Sequence, residues 1–195
     1  MSMMEMIFAF AAGSLVGTAA LIAYMHLTRQ RIRAGAFDFI AAGRGMERIS
    51  QRLVRDSEDV NYCAVMMLTN GNGHPTLGTP LYATLIASQV DEKHDAQHRQ
   101  FERLEVDGAW KDTLMRVYNN KAQALSVDVM NEGEMKDLYQ REGLKYVELH
   151  FLKQTAKAGF YLAVGSYTQL HMEGARWDIT SARTDIRREL DRVFK

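Results

Sequence analysis

The feature that most constrains this chain is an uninterrupted apolar run near its N-terminus. From Met6 to Met25 no side chain is ionisable, and the run MIFAFAAGSLVGTAALIAYM extends about 30 Å as a helix. That length matches the hydrocarbon thickness of a bilayer. A cleaved signal peptide would carry basic residues before a shorter apolar core, whereas the leading MSMME has none. We therefore predict a single transmembrane anchor over residues 1–28.

The charges that flank this run predict its direction in the membrane. Arg29, Arg31 and Arg33 follow it closely, and no Lys or Arg precedes it. Because positively charged flanks stay on the inner side, we expect the rest of the chain to lie in the cytoplasm. A single cysteine, Cys63, agrees with a reducing compartment. The expected location is the inner membrane, with one pass and with the lipid bilayer as a partner.

Small residues in the predicted anchor suggest a contact between two copies. Gly13 and Gly17 are four residues apart, so they lie on one helix face and would let a second backbone approach closely. This spacing predicts a homodimer. The alternative is that small residues are simply common in transmembrane helices.

Residues 29–56 form a basic juxtamembrane segment that we expect to be a connecting helix. Its apolar side chains alternate at spacings of three and four. They are Phe39, Ala42, Met46, Ile49 and Leu53. This pattern fits either a seam with a second helix in a dimer or a helix that packs on its own domain.

The remaining residues, 57–195, carry 17 basic and 20 acidic side chains, so no basic stripe points to nucleic acid. Their patterns predict strands and helices in alternation. Strands are expected over 62–69, 80–88, 124–130, 145–155 and 159–168, and helices around 110–120, 134–142 and 174–194. The order contains hairpins and no repeated βαβ unit. It predicts an α+β fold, with an antiparallel sheet covered by helices on one side.

The element order, together with the stretch MKDLYQREGLKYVELHFLKQTAKAGFYLAVGSYT, resembles GAF domains, and in particular GAF-like proteins of tailed bacteriophages. The resemblance covers residues 40–195. It implies a GAF/PAS-like cytoplasmic sensor module, commonly dimeric, with a pocket between the sheet and the loops that cross it. The Asn-Lys-Phe-Asp-Glu signature of cyclic-nucleotide-binding members is absent. With Cys63 alone, the multi-cysteine sulfoxide reductases and bilin attachment are also disfavoured.

Five aromatic or histidine side chains are the candidate ligand-binding residues. They are His74, Tyr82, Tyr146, His150 and Tyr161. Tyr146 and His150 share one strand face, which either lines a pocket or forms the exterior of the sheet. We favour the exterior, because that composition is ordinary for a solvated sheet face.

Other candidate chemistry is weaker. His94 and His98 share a helix face, but no third ligand and no HExxH pattern accompany them, so a solvated charged helix is favoured over a metal site. The glycine-rich loop NGNGHPTLGTP lacks the Lys-Ser/Thr ending of a phosphate-binding loop and predicts a hairpin loop. No Gly-x-Ser-x-Gly elbow is present. We therefore expect no enzyme, no metal and no cofactor.

These features predict a membrane-anchored sensory module that binds a small ligand or docks an unknown protein partner. No output domain of its own is expected, so a signal would pass through a partner or the membrane helix. The alternative is a phage-encoded, membrane-associated scaffold or host-interaction protein with no small-molecule ligand.

Overall fold

A computed structural model of the chain describes residues 38–70, 80–91, 103–155, 157–168 and 172–194. Several predicted features lie outside these ranges. They are the transmembrane run with Gly13 and Gly17, the arginines Arg29, Arg31 and Arg33, the loop residue His74, and the pair His94 and His98. Within the ranges, no helix combines the length and the apolar character needed to cross a membrane.

The described residues form six strands and four helices. The strands are β1 (Tyr62–Thr69), β2 (Tyr82–Val90), β3 (Leu104–Glu105), β4 (Ala122–Ser126), β5 (Tyr146–Gln154) and β6 (Gly159–Ser166). The helices are α1 (38–56), α2 (Gly108–Asn120), α3 (Glu134–Arg141) and α4 (Arg176–Val193). A 3₁₀ turn, Val127–Val129, follows β4 directly.

The strands make one sheet in the order β3-β2-β1-β6-β5-β4, and every neighbouring pair is antiparallel. The predicted antiparallel sheet and the β5–β6 hairpin are therefore confirmed. Strand β2 is shifted by two residues towards the C-terminus from the predicted segment, whereas β4 begins two residues and ends four residues before the predicted one. Strand β3 has only two residues and is too short to produce a sequence pattern.

Helices cover both faces of the sheet, so the expectation of helices on one side is wrong. Along β1, Tyr62 and Ala64 pack towards α2 and α3, whereas Cys63 and Val65 pack towards α1 and α4. We call these the α2/α3 face and the α1/α4 face. The physical reason is visible in the sequence of β1, where YCAVMMLT is apolar at nearly every position instead of alternating. Such a strand must be covered on both faces.

The α1/α4 face explains the apolar spacing in the juxtamembrane segment. Ala42, Met46 and Leu53 of α1 are buried together with Ile186 and Leu190 of α4. Packing within its own domain therefore accounts for this part of the pattern. The compact unit that starts at Ala42 includes the helix from that residue onward.

Candidate functional site

A cavity of about 280 Å³ lies on the α2/α3 face, between the start of α2, strand β4, the 3₁₀ turn and the start of α3. Its walls combine charged, polar and apolar side chains. They include Asp107, Trp110, Arg116, Gln123, Met130 and Lys136. The volume is just below the usual range for pockets that take drug-sized molecules. It fits a smaller ligand.

The start of α2 forms one wall, and a helix cap holds it in place. Asp107 is the N-cap residue, and its Oδ1 accepts a hydrogen bond from the backbone N–H of Trp110 at 2.7 Å. Its other oxygen, Oδ2, lies only 2.2 Å from where a Cβ on Gly133 would stand. A side chain at Gly133 would therefore push the start of α3 away from the start of α2. Glycine at this position lets the two helix ends meet around the cavity.

Trp110 contributes a buried aromatic ring to the cavity wall. The residue is 3% exposed, and its ring makes an edge contact with Tyr139 at a centroid distance of 6.0 Å. Tyr139 makes a similar contact with Tyr62 at a centroid distance of 6.4 Å. Burial raises the pKa of the Tyr139 phenol, so the ring that supports Trp110 is uncharged. The indole Nε1 is buried and finds no hydrogen-bond partner in the described part of the chain.

Gln123 of β4 also lines this cavity and contains a buried acceptor. Its Oε1 is buried and, among the described residues, likewise has no hydrogen-bond partner. A buried polar group without a partner costs about 1–3 kcal/mol. Both atoms are fully buried, so a molecule in the cavity would contact them only if the wall rearranged.

Lys136 brings a buried cation to the same cavity. It lies in the first turn of α3, its side chain is 8% exposed, and its Nζ is 2.7 Å from Oε1 of Glu132. The Glu132 side chain is 86% exposed. At the rim, the guanidinium of Arg116 donates to Oγ1 of Thr113 at 3.2 Å. Among the described residues that line the cavity, Arg116 and Lys136 carry positive charge and Asp107 carries negative charge.

The sequence-predicted ligand residues that the structure describes do not line this cavity. Tyr161 lies on the α2/α3 face, is 5% exposed, and donates its hydroxyl to the carbonyl of Leu114 at 3.5 Å. Burial raises the pKa of Tyr161 to about 12. The register of the strands places Tyr82, Tyr146 and His150 on the opposite, α1/α4 face. The four residues therefore do not form one site.

The expectation that His150 lies on the exterior of the sheet is wrong. It is 5% exposed, because α4 covers this face of β5. Its Nε2 lies 3.1 Å from Oε1 of Glu148. The hydrogen bond with His150 lowers the pKa of Glu148, and the charges of His150, Arg176 and Arg183 add to this, while partial burial opposes it. Tyr146, Glu148 and Arg176 line a second cavity of about 270 Å³ on this face.

Cys63 is fully buried on the α1/α4 face. Burial raises its pKa to about 12, with a smaller opposing effect of a hydrogen bond to Ser50. The residue is therefore a neutral thiol on the far side of the sheet from the 280 Å³ cavity. It cannot attach a ligand covalently in that cavity.

The residues that form the cavity were partly visible in the sequence. Trp110, Leu114 and Val117 recur at a spacing typical of the inner face of a helix, but the sequence gives no sign that the indole N–H lacks a partner. Asp107 precedes Gly-Ala-Trp and has the position of a helix cap. Lys136 lies in a charged helix, where a solvated position is the ordinary expectation.

No protein-family model matches the sequence, and a search of curated proteins finds no match. Solved structures do resemble the fold. A phycoerythrobilin-bound GAF domain of a cyanobacterial phytochrome superposes with a TM-score of 0.54 and 8% identity, over 85% of this chain and 91% of that one. A type II free methionine-R-sulfoxide reductase from Thermoplasma acidophilum gives 0.53 and 10%, over 80% and 97%. The GAF domain region of a Geobacter sulfurreducens protein gives 0.51 and 14%, over 83% and 98%.

Identities this low carry information about the fold alone. The chain has a GAF-like fold, with a curled antiparallel sheet and helices, and the resemblance noted in the sequence is confirmed at that level.

Proposed function

We propose that residues 57–195, together with α1, act as a sensory domain whose cavity between α2, β4 and α3 binds a small molecule reversibly. The observation that carries this proposal is the cavity itself, about 280 Å³, whose lining combines the charged residues Asp107, Arg116 and Lys136 with apolar side chains. A GAF-like fold supports a sensory role, since structural neighbours include a GAF domain with a bound phycoerythrobilin chromophore.

The ligand of this chain should differ from the chromophore of that neighbour. The cavity is about 280 Å³, which is small for a tetrapyrrole. Cys63 lies on the other face of the sheet. We therefore propose a small ligand held without a covalent bond.

The sequence also supports attachment to the inner membrane through residues 1–28, with the sensory domain in the cytoplasm and a homodimer formed through Gly13 and Gly17. In this arrangement the domain reports ligand binding to a partner protein or through the anchor. A reporter enzyme that works only in the cytoplasm should be active when it is fused after Lys195. Activity of an export-dependent reporter at the same position would reverse the proposed orientation.

Ligand binding is tested by filling the cavity. The full chain is purified in detergent and denatured, and released small molecules are identified by mass spectrometry. Ala109 lines the cavity, so Ala109→Leu should abolish retention of the molecule, whereas Lys111→Leu, an exposed change on the same helix, should not.

A bound ligand should also raise the melting temperature of the wild type in a concentration-dependent way. If Ala109→Leu retains the same molecule as the wild type, the cavity is not the site. If the wild type retains nothing and no small molecule raises its melting temperature, the scaffold alternative is favoured.

A further inference from the structure

We propose that strand β4 is a docking site for an extended peptide segment of a partner protein, which adds to the edge of the sheet as a further antiparallel strand. The segment carries apolar side chains towards the α1/α4 face and an acidic side chain towards the α2/α3 face. This inference goes beyond the proposed function, because it concerns the edge of the sheet and a protein partner.

The backbone of β4 has hydrogen-bonding groups that point away from the sheet. The strand lies at one edge, with β5 as its neighbour. At its two ends, the carbonyl of Lys121 accepts from the N–H of Phe151 at 2.9 Å, and the N–H of Val127 donates to the carbonyl of Lys145 at 3.0 Å. Hydrogen-bonded pairs alternate along an antiparallel ladder, so the odd-numbered residues bond to β5 and the even-numbered ones point outwards. The outward residues, which have no backbone partner among the described residues, are Ala122, Ala124 and Ser126.

The two edges of the sheet differ in their protection against an added strand. The other edge, β3, has only two residues, and one of them is Glu105. Short length and charge both discourage strand addition. Strand β4 has the sequence AQALS, with no charged residue and no proline, and Ala124 is exposed. In the 3₁₀ turn that follows, Val129 is 81% exposed. The β4 edge therefore offers open backbone groups next to apolar surface.

Cavities lie beside β4 on both faces of the sheet. Leu125 lines the cavity of about 280 Å³ on the α2/α3 face. Ala122 and Ala124 line the cavity of about 270 Å³ on the α1/α4 face, together with Met172. The side chains of an added strand would alternate between these two faces. Pockets for alternate side chains give specificity when a peptide adds to a sheet edge, and β4 has one on each side.

The charge on the α2/α3 face favours an acidic side chain. Arg116 is exposed, and its guanidinium donates to the hydroxyl of Thr113. Among the described residues, no carboxylate forms an ion pair with it. A carboxylate on the added strand would provide a charge-assisted partner for this guanidinium.

The α1/α4 face favours an uncharged side chain instead. Oε1 of Glu148 already lies 3.1 Å from Nε2 of His150, and Arg176 lines the same cavity. Glu173 is exposed to water. The remaining lining is made largely by alanines and by Met172, so an apolar side chain fits it.

A second copy of this chain is a poorer occupant of the β4 edge. In any antiparallel pairing of two β4 strands, outward residues would lie opposite outward residues, and all of these are alanine or serine. Such short side chains would leave the cavity on the α1/α4 face unfilled. A different sequence, with larger apolar side chains, would fill it.

The test uses synthetic peptides and the full chain in detergent. The probe has about nine residues, a usual strand length, and alternates valine with glutamate. A control peptide has the same composition with all valines first. Fluorescence anisotropy of the labelled peptide measures binding, with empty micelles as the blank. We expect the alternating peptide to bind and the control peptide not to bind; equal binding of the two would overturn the proposal.

Methylation of the peptide backbone tests strand addition directly. In antiparallel addition the valines lie opposite Ala122 and Ala124, so their N–H groups bond to β4, whereas the glutamate N–H groups point away. N-methylation of the valines should therefore abolish binding, and N-methylation of the glutamates should preserve it. If both methylated peptides bind equally, the peptide does not add as a strand.

Two variants assign the contacts to the protein. Ala124→Pro removes an outward N–H without removing a bond to β5, a position at which an edge strand tolerates proline. It should abolish binding and leave the melting temperature almost unchanged.

Arg116→Met should weaken binding by about fivefold, whereas Lys111→Met, an exposed change on the same helix, should leave Kd unchanged. With glutamine in place of glutamate in the peptide, Arg116→Met should have no effect. An equal loss with both peptides would show that the acidic side chain is wrongly assigned.

Amide hydrogen exchange locates the peptide on the wild type. The amides of Ala124 and Ser126 should exchange rapidly in the free protein and become protected when the peptide binds, whereas that of Leu125 is protected in both states. Binding without this change would place the peptide elsewhere. If the outward amides are protected without peptide and Ala124→Pro converts a dimer into a monomer, a second copy occupies the β4 edge and the proposal is wrong.

Discussion

Arg187 joins α4 to a bulge in the sheet, and its removal should destabilise the domain measurably. Its Nε donates to the carbonyl of Leu152 at 2.8 Å, and one terminal nitrogen donates to the carbonyl of Phe151 at 3.2 Å. The β5–β6 register shifts at this place, so these carbonyls lie at an irregularity of the ladder. The guanidinium therefore satisfies backbone groups at a break in the sheet.

The expected cost follows from these two bonds. The bond from the charged group at 2.8 Å contributes about 1.5–3 kcal/mol, and the longer one about 0.5–1 kcal/mol. Arg187→Met should thus lower the free energy of unfolding by about 2–4 kcal/mol. Arg187→Lys keeps the charge but loses the planar fork, and it should have an intermediate effect.

Tryptophan fluorescence measures this change. Trp110 is 3% exposed and Trp177 is 83% exposed, so Trp177→Phe leaves a single buried reporter of the folded domain. Urea unfolding of the full chain in detergent would be compared in that background. Arg188→Met is the matched control, because Arg188 makes an exposed ion pair with Asp185 that should contribute about 0.5 kcal/mol or less. Equal effects of the two methionine variants would refute the reasoning.

Three further predictions concern other described residues. The pKa of Glu148 is lowered in the folded state, first by its hydrogen bond with His150. The ionised carboxylate therefore stabilises the fold above the pKa of the unfolded state, and this stabilisation is lost as the pH falls through the lower folded-state pKa. Glu148→Gln should make the free energy of unfolding depend less on pH in the acid range, and an unchanged pH dependence would contradict this. Gly165→Ala should cost about 1–3 kcal/mol in urea unfolding, because the added Cβ would lie 2.9 Å from a methyl of buried Leu144. Cys63, with a pKa raised to about 12, should resist iodoacetamide in the native protein and react after unfolding; rapid native alkylation would show that its thiol is accessible.

Much of the fold is readable from periodicity. Strand β1 is recognised from its apolar run, and the β5–β6 hairpin from two strand patterns around a glycine. Gly143 follows α3 with a φ of +71°, and a glycine at the end of a helical pattern is the usual sequence sign of such a helix end. The expected helix layer on one side is wrong because it rests on the hairpin order of the strands, which does not reflect the two-sided apolar character of β1. That character already required cover on both faces.

The site was less predictable than the fold, because it depends on which face of the sheet each strand residue lies on and on which helix packs against that face. Tyr161 and His150 are on neighbouring strands, yet the register places them on opposite faces of the sheet. The burial of Lys136 depends on how α3 packs near Asp107, and no local pattern shows this. The spacing of Trp110 along α2 is typical of a core position, but the lack of a partner for its nitrogen depends on the groups packed around it, which no local pattern shows.

The most direct test of a ligand cavity at Trp110 is the indole N–H resonance of that residue. In the full chain with Trp177→Phe, a single indole signal should appear and should shift saturably as a small molecule that raises the melting temperature is added. If the melting temperature rises while this signal stays in place, the molecule binds elsewhere and the assigned cavity is wrong.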